Sequence, residues 1–351
     1  MMRVSDAEII FSPPNAGEGL FRVAPLPARK EEAPVIFIPH DGAYLGKTGD
    51  LASFSFAVLG DSHTHRTANP EDPAPELLRI IEELNLLRPA FAVSAGDLIR
   101  GYMNEVEKAE IEATGDSPTL EKRLRLEHSG AVRAYKSLAM PFYPCIGNHD
   151  VREPVSERVW RDIWGGRYYS FDYADCHFVV LDAEISKDTE SVAGEQLEWL
   201  ERDLATYAVG KRLFISLHRP WWFDYPLHTA TWKHPGGRND WNDIVDPILR
   251  RYDLQAIFCG HKHRFEFEHR NGVPHIVTGG AGGEINDAPE IGGVVHYTWV
   301  SVYPGGFTWA VIVPGHVLSP ERIAAARNNF REAIPWLPAE MGGTRKVRVE
   351  D

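Results

Sequence analysis

Apolar runs along this chain repeatedly stop at a short polar cluster. Phe54 to Leu59 leads into Gly60-Asp61-Ser62-His63, Phe91 to Ala95 into Gly96-Asp97, and Phe142, Tyr143, Cys145 and Ile146 into Gly147-Asn148-His149-Asp150. Leu213 to Leu217 leads into His218-Arg219-Pro220, and Ala256 to Cys259 into Gly260-His261-Lys262-His263. Runs this short, closed by glycine, read as strands that end in tight turns. In an extended chain residues two apart share a face, so Asp61 aims with His63 and His261 with His263.

Between these runs the period changes. Leu77, Leu78, Ile80, Ile81, Leu84 and Leu87 form a helical stripe opened by Asp72, Pro73 and Pro75 and closed by Pro89. A strand, this helix and the strand to Asp97 make a βαβ unit, which predicts parallel strands with polar residues gathered at a carboxyl edge. Tyr168 to Tyr173 and His177 to Leu181 read as a hairpin around Ala174-Asp175, and His275 to Thr278 as a further strand. Val294 to Val302 and Phe307 to Val313 read as a second hairpin around Tyr303-Pro304-Gly305-Gly306. Helices are expected after Gly194, with Leu197, Leu200 and Leu204 on one side, and from Asn242 or Asp243 to Tyr252.

The punctuation suggests three parts. Residues 1–50, broken by six prolines, read as an extension with edge strands at most. Residues 51–315 read as the catalytic domain, and 316–351 as a helix begun by Ser319-Pro320 with a loose tail. Inside the domain, 101–138 is a polar helical insertion whose Glu105, Glu107, Lys108, Glu110, Glu121, Lys122, Arg123 and Arg125 read as solvated faces. The long aromatic stretch 219–241 (Trp221, Trp222, Phe223, Tyr225, Trp232, Trp241) reads as a functional loop.

Composition narrows the class. The 351 residues are 43% hydrophobic and 25% charged, the balance of a soluble globular chain. No apolar run reaches the ~20 residues of a membrane span, and the opening residues carry no secretory pattern. Three cysteines argue against a disulfide framework and make a reducing, cytoplasmic setting the default. A net charge of −13 disfavours nucleic acid and anionic membrane as partners. It leaves room for a small anionic substrate if bound cations reverse the sign locally.

Taken singly, each polar cluster has a plainer reading: an Asx turn, a surface histidine, a salt bridge. In order, Asp-x-His, Gly-Asp, Gly-Asn-His-Asp, His and Gly-His-x-His across roughly residues 54–283 resemble the calcineurin-like metallophosphoesterase superfamily. The Tyr169-Ser170-Phe171-Asp172 stretch through Leu181-Asp182 and the helix Glu195 to Leu200 are similar to that family as well. The resemblance implies an α/β fold: a two-sheet β-sandwich flanked by helices, in four layers α/β/β/α.

It also implies a two-metal site. Asp61, His63 and His263 would hold one ion, Asn148, His218 and His261 the other, and Asp97 would bridge them. Oxygen and nitrogen donors without sulfur suit Mn, Fe, Zn or Co, and Cys145 and Cys259 read as core residues. Such a pair supplies hydroxide for in-line attack on phosphorus at neutral pH. His149, left without a ligand slot, would protonate the departing oxygen, or else simply touch substrate. Asp150 would orient the other nitrogen of His149 and raise its pKa.

His65, Arg66, Arg100, Arg219 and the Asn148 amide are candidates to bind the substrate, although a salt bridge serves each arginine as well. The glycine-rich segment 279–283 reads equally as a turn or a phosphate cradle. Purple acid phosphatases place a tyrosine three residues after the bridging aspartate, where this chain has Arg100. Gly96-Asp97-Leu98-Ile99-Arg100-Gly101 is one residue shorter than the protein Ser/Thr phosphatase motif. The Asp-x-His start is similar to class III cyclic nucleotide phosphodiesterases, which tilts the expectation toward a small phosphodiester. The alternatives are a phosphomonoesterase on the same site and a non-catalytic metal-binding scaffold that uses 101–138 to meet a partner.

Overall fold

The structure, a computed structural model, describes residues 53–63, 69–184, 192–222 and 241–314, with the backbone of short strands at 2–3, 22–23, 35–36 and 316–318. In chain order the strands are β1 (Met2–Arg3), β2 (Arg22–Val23), β3 (Val35–Ile36), β4 (Phe54–Leu59), β5 (Phe91–Ser94), β6 (Phe142–Tyr143), β7 (Tyr169–Tyr173) and β8 (Cys176–Val180). They continue as β9 (Arg212–Ser216), β10 (Asp253–Cys259), β11 (Phe265–Arg270), β12 (Val273–Thr278), β13 (Tyr297–Tyr303), β14 (Gly306–Val313) and β15 (His316–Leu318). The helices are α1 (Pro75–Leu87), α2 (Glu105–Thr114), α3 (Pro118–Tyr135), α4 (Pro154–Ile163), α5 (Gly194–Asp203) and α6 (Asp246–Leu249).

Two sheets face each other. One runs β15-β14-β13-β4-β5-β6 and the other β11-β12-β10-β9-β8-β7-β2. Aromatic side chains fill the space between them. Phe56 stacks on Phe91 at 5.2 Å and 9°, and Phe178 meets both rings edge-on. Phe214 and Phe258 close the layer from the second sheet. Outside the first sheet α1, α3 and α4 cover Ala57, Leu59 and Phe142, and outside the second α5 and α6 cover Ile215 and Ile257. The fold is thus the mixed two-sheet α/β sandwich with helices on both outer faces.

Strands β4, β5 and β6 run parallel in one sheet, and β8, β9, β10 and β12 in the other. Their carboxyl ends are therefore where the polar clusters emerge. The hairpins at 174–175 and 303–306 form as expected, with Ala174 in the left-handed region at φ 52°.

The expected α1 stripe divides. Leu77, Ile80, Ile81 and Leu84 are buried, whereas Leu78 is 40% and Leu87 48% exposed. The buried set follows the i, i+3, i+4, i+7 spacing; Leu78 lies off it, and Leu87 sits at the last position of the helix. Strand β11 escaped the reading because Phe265 and Phe267 alternate with charged residues along the sheet edge. Near the ends, β2 pairs with β7, and β15 extends the first sheet beyond residue 315. The helix expected from Ser319 and residues 223–240 of the aromatic loop lie outside the described residues.

Candidate metal centre

All the clusters converge where the two sheets' carboxyl edges meet. Asp61 and Asp97 follow β4 and β5, and Asn148 and His149 follow β6. His218 follows β9, and His261 and His263 follow β10. Asp61, Asp97, His261 and His263 all hold left-handed backbone, with φ of 56°, 57°, 74° and 47°. That conformation costs non-glycine residues free energy and persists only where its surroundings impose it, often at functional sites. Close approach enforces the rest. A Cβ on Gly147 would run into Asp97 Oδ1 and the Asp97 amide, and one on Gly260 into Asp61 Oδ2.

The donor atoms sort into two groups around Asp97. In one, His263 Nε2 lies 3.2 Å from Asp61 Oδ1, and the His63 ring stands 5.1 Å from that of His263. In the other, His218 Nε2 lies 3.0 Å from Asn148 Oδ1 and 3.3 Å from His261 Nδ1. Asp97 Oδ2 is 3.1 Å from His218 Nε2 and 3.8 Å from His149 Nε2. One donor atom from each of Asp61, Asp97 and His218 lies within 4.8 Å of the others.

Each carboxylate gives one oxygen to a backbone amide and turns the other toward a histidine. The His261 amide donates to Asp61 Oδ2 and the His149 amide to Asp97 Oδ1, both at 2.8 Å. Asp61 Oδ1 and Asp97 Oδ2 are buried and accept no well-aligned hydrogen bond, although His263 and His218 press close. A buried carboxylate oxygen without a well-aligned hydrogen bond is costly unless something positive stands beside it. Backbone carbonyls meanwhile set the histidine tautomers. His218 Nδ1–H donates to Ala95 O at 2.9 Å, His263 Nδ1–H to Glu284 O at 2.7 Å, and His149 Nδ1–H to Arg100 O. That turns Nε2 of each ring toward the centre, the arrangement metal-binding imidazoles use.

Electrostatics agrees with the geometry. Burial alone would lower His218, but Asp97 beside it carries the imidazole up to about 10. Burial likewise opposes His263, and Asp61 carries it up to about 9. Asp97 is held well below the usual carboxylate range because His218 and His149 outweigh its burial. His63, buried between His263 and His149, falls to about 4. The centre is an anionic well that keeps protons on two histidines, and metal binding at such sites displaces protons. The residues therefore fit a cation pair.

Other expectations change. Asp150 does not touch the His149 ring. Its carboxylate accepts from the amides of Leu98 at 3.0 Å, Ile99 at 3.2 Å and Gly147 at 2.8 Å, binding the Asp97 turn to the Asn148 turn. A carboxylate that close to three N–H groups is better served by them than by the neighbouring side chain. Nor is His149 raised: burial lowers it despite Asp97. Arg100 and Arg219 turn to acids remote in sequence. Arg100 Nη2 stands 4.0 Å from Glu127, and Arg219 Nε donates to Glu184 at 2.6 Å, with Nη1 3.4 Å from His261 Nε2.

His65 and Arg66 lie outside the described residues. In the 279–283 segment the Ala281 amide donates to Gly60 O and the Gly283 amide to Asp61 O, which braces the first turn. Cys145 and Cys259 are buried free thiols, pushed well up by burial.

Sequence reasoning missed Arg152 and Tyr102. Arg152 Nε donates to Asn148 O at 2.8 Å, and its guanidinium lies 5.1 Å above the Tyr102 ring. Tyr102 in turn meets the His149 ring edge-on at 4.4 Å. The available signal was an arginine three residues beyond His149.

Fold and sequence together place the chain among the calcineurin-like phosphoesterases. Residues 54–265 match the family model for calcineurin-like phosphoesterases, and the chain belongs to that family. It is 33% identical over 230 residues to purple acid phosphatase 15 of Arabidopsis thaliana, covering 61% of this chain and 41% of that one. With purple acid phosphatase 23 of the same plant it shares 31% over 101 residues, covering 28% and 20%. This chain thus matches less than half the length of either relative. A solved purple acid phosphatase from seeds of yellow lupin (Lupinus luteus) has the same fold, with a TM-score of 0.53 at 14% identity over 75% of this chain and 52% of that one.

Proposed function

We propose that this protein hydrolyses a small phosphodiester, with Asp61, His63 and His263 holding one divalent ion, Asn148, His218 and His261 a second, and Asp97 shared between them. The observation that carries the reading is the pair of buried carboxylate oxygens, Asp61 Oδ1 and Asp97 Oδ2, which accept no well-aligned hydrogen bond and face inward-turned imidazoles. Bound ions supply Lewis acidity to the phosphoryl oxygens and hydroxide at neutral pH. Mn, Fe, Zn and Co all suit this donor set.

The chain's own residues do the rest. His149 keeps Nδ1–H on Arg100 O and presents Nε2 beside Asp97. Protonated at Nε2, it delivers that proton to the departing alkoxide and is left neutral with its tautomer unchanged. Asp150 holds the two turns that carry Asp97 and Asn148 in register.

The diester preference rests on the Asp-x-His and Gly-Asn-His-Asp pattern. It is supported by the pairing of Arg219 with Glu184, which leaves less positive field for a phosphate dianion. The second reading, a phosphomonoesterase, is favoured by the phosphatase names of the relatives. Metal-supplemented turnover of bis-p-nitrophenyl phosphate against p-nitrophenyl phosphate separates the two. Diester turnover no faster than that of His149→Ala counts against the acid role. Elemental analysis finding no bound ion, with no hydrolysis of either ester, counts against the hydrolase.

A further inference from the structure

The arginines around the centre are not equivalent. Arg100 and Arg219 point at carboxylates that are themselves buried, Glu127 and Glu184. Arg152 is half-buried on the turn that carries Asn148 and His149. Among the described residues it pairs with no carboxylate, and its terminal Nη groups donate no hydrogen bond. Its placement is nevertheless fixed, by Asn148 O behind Nε and the Tyr102 ring beneath the guanidinium. Tyr102 is 37% exposed and edges onto His149, so one ring walls both the cation and the imidazole. A guanidinium anchored through Nε and a ring face offers its remaining fork to an anion, and carboxylates and phosphates fit that fork in two-point fashion.

We propose that Arg152 and Tyr102 form the subsite for the departing alcohol, and that the protein selects phosphate esters whose leaving group itself carries a carboxylate or a second phosphate. The inference rests on the assignment of His149 to the leaving-group side. Tyr102 supplies an aromatic wall for the body of that group, and Arg152 pairs with its charge.

The test uses the full chain supplemented with Mn²⁺ and two near-isosteric leaving groups that differ in charge, 3-carboxyphenol and 3-carbamoylphenol, as phosphate monoesters and as methyl diesters. The wild-type protein is expected to favour the carboxylate by about tenfold in kcat/KM, expressed mainly in KM. Arg152→Gln is expected to bring that ratio to about one, and Arg152→Lys to restore part of it as a point charge without the fork. A wild-type ratio near one, or a ratio that survives Arg152→Gln, overturns the proposal.

Calorimetric binding of the matching non-hydrolysable phosphonates reads the same discrimination without turnover. A tenfold binding difference that depends on Arg152, in a protein that hydrolyses none of the esters, overturns the hydrolase reading and supports the subsite. Equal binding of the two phosphonates sinks the subsite whatever the hydrolysis.

Discussion

Glu127, deep in the insertion helix, accepts a hydrogen bond from the Gly101 amide at 2.8 Å. Gly101 follows the residue whose carbonyl holds His149 Nδ1, so the insertion reaches the candidate acid through one peptide. Glu107 and Arg123, expected on solvated faces, complete the clasp. Arg123 binds Glu107 at 2.8 Å, pairs with Glu127 and donates to Tyr102 O at 2.6 Å. The acids pack inward because the insertion has to neutralise Arg123 there. Glu127→Ala is expected to cost about 3 kcal/mol of stability, because it leaves a largely buried guanidinium short of a partner. It should also lower kcat more than it raises KM. Urea unfolding and steady-state kinetics measure both, and an unchanged kcat in a protein that still folds would separate the insertion from His149.

The crowding at Gly147 makes a second expectation. A methyl group there meets the carboxylate and the amide of Asp97. Gly147→Ala should weaken metal binding by at least about tenfold, the scale at which supporting residues act on ligands. Isothermal titration with Mn²⁺ reads this directly. Affinity equal to the parent's would show that the turn relaxes without moving Asp97.

If Asp97 is shared and Asp61 is not, their loss should differ in stoichiometry. Asp97→Ala is expected to lose both ions, and Asp61→Ala to keep the ion held by Asn148, His218 and His261. Elemental analysis after gel filtration counts them. Equal losses in the two variants would remove the bridging role.

Away from the centre, His177 is fully buried between two acids. Nδ1 lies 2.7 Å from Asp172 and Nε2 2.8 Å from Asp203. Burial alone would lower it, but the two carboxylates outweigh that and raise its pKa. A raised folded-state value means the stabilisation is fully present below the unfolded value of about 6.5 and is lost as pH rises through the folded one. Unfolding free energies should therefore fall with pH above about 6.5, and His177→Gln should flatten that slope. Parallel curves for the two proteins between pH 5.5 and 9 would refute this, taking those limits as roughly one unit below and more than two above the unfolded value.

What the chain's order of residues determined by itself was the grammar of the site. Local patterning is a matter of period and turn chemistry, so strand ends at Asp61, Asp97, Asn148, His218 and His261 were legible, as was the parallel β4–α1–β5 unit. Short side chains fixed to strand ends go where their backbone goes. Tertiary structure decided everything that depends on reach. Arg100 and Arg219 carry long side chains, and their partners Glu127 and Glu184 lie far along the chain, so adjacency to a motif said nothing about their targets. Asp150 chose three backbone amides that only folding brings together. The tautomers of His149, His218 and His263 were settled by carbonyls of Arg100, Ala95 and Glu284, atoms that every residue possesses and no sequence pattern distinguishes.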